Sequence, residues 1–142
     1  MSECYPYTTI VGAEELGCDQ RRPPYKRQPR GVRGKDAWAI RTSACDELIG
    51  RVAELVGSDP PLDLRSHPET RKLVEIPSPT QTASYKQRED LLDACLCAWT
   101  AALWHRHGSE RCQVLGAGDP LRDDGGRLAT IIAPARHGQR PS

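Results

Sequence analysis

A single α/β domain is expected from three features of this 142-residue chain. Short apolar runs bounded by Gly and Pro read as strands at about residues 2–7, 111–116 and 127–133. A long run at about 83–107 has the length and composition of a buried helix, and an amphipathic helical pattern covers about 36–56. The chain is long enough for one domain rather than two.

The first strand would carry Glu3-Cys4-Tyr5-Pro6-Tyr7. Thr8 or Thr9 would then cap a short helix running to Leu16 and stopped by Gly17. In the 36–56 helix, Ile40, Cys45, Leu48, Ile49, Val52, Leu55 and Val56 recur mostly at spacings of three and four, until Gly57 and Pro60-Pro61 end it. Ser66-His67-Pro68-Glu69 reads as a further helix start, with Ser66 as cap and Pro68 in the first turn. Pro77 and Pro79 bound that segment. The long helix ends at Gly108. Cys112-Gln113-Val114-Leu115-Gly116 and Arg127-Leu128-Ala129-Thr130-Ile131-Ile132-Ala133 are the remaining strands. The domain is expected to span 1–135, with a flexible tail at 136–142.

The long helix raises a physical question. KQREDLLDACLCAWTAALW starts charged and ends apolar, and Leu91 to Trp104 is apolar all round apart from Asp93 and Thr100, as in a central helix. Asp93 sits between Leu92 and Ala94-Cys95. A buried carboxylate is costly unless it is paired, hydrogen-bonded or bound to a cation.

Composition narrows the classes of function. Hydrophobic residues make up 37% and Phe is absent, a lean core consistent with the loops that 12 Gly and 12 Pro imply. The net charge of +1 provides no global field for nucleic acid or membrane, so any such contact must be local. Six cysteines without a CxxC pair, no secretory leader pattern and no bilayer-length apolar run point to free thiols in a reducing cytoplasmic compartment, without a membrane partner.

Asp90 and Asp93 are three apart, so they share a helix face. Glu89 is four before Asp93, and Lys86 is four before Asp90. Carboxylates grouped this way suit Mg²⁺ or Mn²⁺, which prefer hard oxygen ligands. The plainer alternative is a charged first turn favoured by the helix dipole. That alternative accounts for Glu89 and Asp90 but not for Asp93. Glu3, at the first strand, is the other candidate acid; taken alone it reads as a surface glutamate.

Residues 18–35, CDQRRPPYKRQPRGVRGK, form a basic loop. Its prolines forbid a continuous helix. Arg21, Arg22, Lys26, Arg27 and Arg30 are candidates to neutralise phosphates, with Tyr25 to stack on a base. The alternative is a solvated loop. His67, His105 and His107 lack ligand spacing, and no Ser or Cys lies in a nucleophile motif.

ECYPYTTIVGAEELG, RRPPYKRQPRG, REDLLDACLCAWTAALW, CQVLG and the Ile-Ile-Ala-Pro ending together resemble the C-terminal part of the domain of unknown function 429 family. That family is placed in the RNase H-like superfamily of predicted nucleases. The resemblance covers roughly residues 3 to 135. It implies an RNase H-like fold and divalent-metal-dependent phosphodiester hydrolysis. Asp90, Asp93 and Ala94 match an Asp-x-x-Asp-Ala helix motif, Glu3 matches an acid on an earlier strand, and the basic loop would hold the nucleic-acid backbone.

One departure is large. Superfamily members begin with a three-stranded antiparallel unit whose first strand carries a catalytic Asp, and no such segment precedes Glu3. The expectation is therefore an incomplete RNase H-like domain, a truncated chain: its start is assigned too late, or it is a gene remnant, or a partner chain supplies the missing strands, with self-association as a further expected outcome. Its exposed strand edge favours such pairing. The rivals to a nuclease are a non-catalytic nucleic-acid-binding module and a vestigial fragment.

Overall fold

The computed structural model describes residues 2–18, 21–116 and 130–140, with residues 2 and 3 as backbone only. It is a mixed α/β fold of four helices and a small sheet. In chain order the elements are β1 (Ser2–Cys4), α1 (Pro6–Gly12), α2 (Gly34–Ala53), α3 (Pro68–Glu75), α4 (Thr82–His107), β2 (Cys112–Leu115) and β3 (Thr130–Pro134). The strand order is β1-β3-β2. β1 runs parallel to β3 with Glu3 opposite Ile131, and β2 runs antiparallel to β3 with Val114 opposite Ile132.

The first strand is shorter than the expected 2–7, and Pro6 is the reason. Its fixed φ and missing N–H suit the first helical position, so α1 begins there rather than at Thr8 or Thr9. Thr8 instead donates its hydroxyl to the Tyr5 carbonyl at 2.8 Å. A separate 3₁₀ turn, Glu14–Leu16, follows α1 and stops at Gly17, whose φ is +63°. Likewise Ser66 does not cap α3. His67 does, accepting from the Glu69 N–H through Nδ1 at 3.2 Å, while Ser66 donates to the Asp63 carbonyl. The 36–56 helix is α2 plus a 3₁₀ turn, Glu54–Gly57, with Ile40 and Val56 exposed. The start of the expected 127–133 strand, residues 127–129, lies outside the described residues.

α4 is the spine. It packs against the three other helices and all three strands. Its inward stripe, Tyr85, Glu89, Leu92, Leu96, Trp99 and Leu103, alternates spacings of four and three, one face of a 3.6-residue period. Burial is not complete all round, because Ala94, Ala98 and Ala101 lie along the other side and are all exposed to solvent. Thr100, the polar exception in the apolar half, donates to the Leu96 carbonyl at 2.9 Å and meets the Thr9 hydroxyl of α1 at 2.6 Å. Trp99 is buried, with its indole N–H on the Pro60 carbonyl at 2.9 Å.

Two polar junctions lock the periphery. Arg88 of α4 donates to the Leu73 carbonyl at 2.7 Å and to the Ser78 hydroxyl at 2.9 Å, and pairs with Asp46 of α2 at 3.3 Å. At the other end, residues placed in the tail by the sequence form a 3₁₀ turn, His137–Gln139. Arg136 there donates to the Val11 carbonyl at 2.8 Å, and Glu14 accepts the His137 N–H.

Candidate acidic site under the basic loop

The first turns of α4 carry the acids, and the phase of the helix sorts them. Glu89 falls on the inward stripe and is buried, Asp93 lies at its edge with its side chain 16% exposed, and Asp90 points outward at 60%. One oxygen from each comes within 4.8 Å of the others. Glu89 is noted from the sequence as a like-charge neighbour of Asp93 but stands outside the expected ligand set of Asp90, Asp93 and Glu3. Its signal was its register, four before Asp93 and in phase with Leu92 and Leu96.

The basic loop closes over these acids. Tyr25 donates its hydroxyl to Asp93 Oδ1 at 2.8 Å, and Lys26 Nζ bonds Asp93 Oδ2. The same ammonium lies 3.9 Å from Glu89 Oε1. Arg41 of α2 approaches Glu89 at 4.0 Å, and Lys86 approaches it at 3.3 Å while pairing with Asp90 at 2.9 Å. Asp93 is thus paired and hydrogen-bonded, as its burial requires. Three cations face three carboxylates, so the cluster is locally neutral.

The loop is seated by its backbone too. The Tyr25 carbonyl accepts from the Tyr85 hydroxyl, and the Lys26 carbonyl accepts from Arg41 at 3.1 Å. Arg41 lies over the rings of Trp38 and Tyr85 at 5.0 and 4.6 Å, and its Nε is buried without a hydrogen-bond partner among the described residues. Burial, and after it the Asp93 carboxylate, drive the Tyr25 phenol far above its ordinary pKa. Burial likewise raises Tyr85. Both phenols keep their protons and act as donors.

The expected site residues divide accordingly. Asp90, Asp93 and Lys26 come together. Tyr25 is fully buried, so its ring is part of the core and is not offered to a base. Its place among prolines and cations read as solvated loop, but the phenol has the core on one side and Asp93 at its tip. Arg21, Arg27 and Arg30 are exposed and make no ion pair among the described residues. Arg22 stands 5.2 Å over the Tyr7 ring. Glu3 lies on β1, whose next residue, Cys4, accepts a contact from Cys97 Sγ at 3.6 Å, one turn beyond Asp93 on α4. The role expected of the Glu3 side chain lies outside the described residues.

The donor set matches a hard cation in kind. Mg²⁺ takes oxygen ligands at about 2.0–2.1 Å, typically one or two carboxylates plus water, and Asp93 with Asp90 or Glu89 supplies such oxygens within one helical turn. Lys26 contests the same oxygens, so a dication there would displace its ammonium. No zinc-type group forms among the described residues. His67 caps α3, and His107 faces the Asp59 carbonyl at 2.9 Å. All six cysteines are free thiols. Among the described residues, no helix is long and apolar enough to cross a membrane. No family model, curated protein or solved structure matches the chain.

Proposed function

We propose that this chain is an RNase H-like, divalent-metal-dependent nuclease-family protein of the domain of unknown function 429 family, acting on nucleic acid in the cytoplasm. The observation that carries the reading is the meeting of Glu89, Asp90 and Asp93 on one turn of α4, beneath a loop rich in cations. Asp93 and Asp90 would hold Mg²⁺ or Mn²⁺, with Glu89 beside them, and Glu3 would serve as the further acid that the family resemblance implies. A divalent ion bound there supplies Lewis acidity for phosphodiester hydrolysis. The chain's own residues do the rest: Tyr25 fixes one Asp93 oxygen, Lys26 brings positive charge to the cluster, and Arg27 and Arg30 supply outward charge for a phosphate backbone.

The test is Mn²⁺ titration of the full chain, followed by paramagnetic resonance, alongside cleavage of a labelled oligonucleotide. Binding is expected in the wild type and its loss in Asp93→Asn. Binding unchanged by that substitution would sink the assignment.

A second reading is favoured by the neutrality of the cluster. Glu89 and Asp93 would then serve to pin the basic loop, and the chain would bind nucleic acid without cleaving it. This reading expects affinity that falls steeply with salt and is indifferent to Asp90→Asn, whose carboxylate is exposed.

A further inference from the structure

The basic loop has a second face, away from the acids. Between residues 17, 18 and 21–24 on one side and α2 on the other lies a groove of about 690 Å³, within the roughly 300–1,000 Å³ of small-ligand sites. Arg21, Arg22 and Arg51 line it, and Glu47 is the one acid among its described lining residues. Pro23, Pro24 and Ala44 give it apolar surface.

Arg51 is fixed before any ligand arrives. Its NH1 donates to the carbonyls of Leu16 and Gly17, each at 3.0 Å, and its NH2 to Glu47 Oε1 at 3.1 Å. Gly17 makes that seat possible, since a Cβ there would stand 2.5 Å from NH1. The groove also adjoins the acid cluster. Arg22 and Lys26 lie over the same Tyr7 ring, 5.2 and 5.4 Å from its centroid, and Lys26 bonds Asp93.

We infer that this groove is a nucleotide-binding subsite. It takes a phosphate on Arg21 and Arg22, beside the seated Arg51, and the flat face of a base on Pro24 and Ala44. The inference rests on the proposed nucleic-acid function and adds the direction in which the strand leaves the acids, across Tyr7 toward α2. Guanidinium groups suit phosphate because their planar forks bond it in pairs, and apolar walls suit a base because every base has a stackable face.

The test uses the full chain and fluorescein-labelled single-stranded hexathymidylate, read by anisotropy across a salt series. Arg21→Gln is expected to lower the salt slope by about 0.7, the loss of one phosphate contact on a single strand. Glu47→Gln removes the negative charge of the acid described in the groove, so it is expected to tighten binding by about threefold, the scale of one exposed charge pair. Glu47 is 68% exposed, and a gain in affinity does not arise from misfolding. Wild-type binding that neither substitution alters would overturn the groove and leave the proposed function standing. No wild-type binding at low salt, with or without Mn²⁺, would overturn both.

Discussion

The Tyr25 hydroxyl donates to Asp93 Oδ1 across 67 intervening residues and fastens the basic loop to the spine of the fold. Removing the donor leaves a largely buried carboxylate oxygen short of a partner. Tyr25→Phe is therefore expected to destabilise the chain by about 1–3 kcal/mol. A double-mutant cycle with Asp93→Asn, read from urea midpoints, should give a coupling energy well above zero. Additive effects would mean that the loop is held elsewhere.

Glu89 and Asp90 are neighbours with opposite roles. Glu89 is buried among Lys26, Arg41 and Lys86, whereas Asp90 is exposed and pairs with Lys86. Glu89→Leu would strand positive charge at the edge of the core and is expected to cost about 3 kcal/mol or more. Asp90→Asn should stay within about 0.5 kcal/mol of wild type, as surface substitutions do. Thermal unfolding of the two variants tests the ranking, and equal effects would contradict the burial pattern.

This contrast also shows where the sequence was legible. The span of α4 could be read to within a residue at its start because its apolar half is long and Gly108 ends it. Asp93 stood out because apolar neighbours surround it. Glu89 did not, because a run of charges looks like a solvated first turn until the helix phase shows that Glu89 continues the stripe of Leu92 and Leu96. Tyr25 was misleading for a similar reason: PPYKR is locally polar, and only the tertiary fold brings α4 and Tyr85 to it. Pro6 carried two signals, a strand stop and a helix start, and chain geometry decided for the second.

Gly12 lets α1 approach the sheet closely at Pro134. A Cβ at this position would lie 2.3 Å from the Pro134 carbonyl oxygen, a backbone atom that cannot rotate away. Gly12→Ala is expected to destabilise by about 1–3 kcal/mol, as overpacking does. Gly50 is the control: it is exposed on α2, and a Cβ added there would meet nothing within 4 Å. Gly50→Ala should stabilise by about 0.5–1 kcal/mol through helix propensity. Melting temperatures that move the same way in both variants would contradict this packing of α1.

Alkali should loosen the fold. Burial raises the thiols of Cys45, Cys95 and Cys97, and takes Cys112 from 9.0 to about 11. An acid with a raised folded-state pKa keeps its proton in the native chain after the unfolded chain has lost it. The native state then binds more protons, so stability falls as pH rises. The contribution is complete below the unfolded thiol value and is lost between about pH 9 and 11. Urea midpoints at pH 7, 9 and 10.5 should decline in that order, and a flat series would show that these thiols are not buried.

Lys26 and a divalent ion cannot both own Asp93 Oδ2. The ammonium bonds that oxygen and stands 3.9 Å from Glu89, where a cation would draw on the same pair of acids. An ammonium is a movable point charge on a flexible stem, and a metal must pull it off before binding. Lys26→Gln removes the competing charge and leaves the carboxylates in excess. Mn²⁺ affinity is then expected to rise about tenfold, or ~1.4 kcal/mol, with the gain shrinking as salt screens the cluster. Calorimetric titration of the variant and the wild type at two ionic strengths checks both points. Weaker Mn²⁺ binding in the variant would mean that Lys26 helps to assemble the site rather than guard it, and the competition would have to be abandoned.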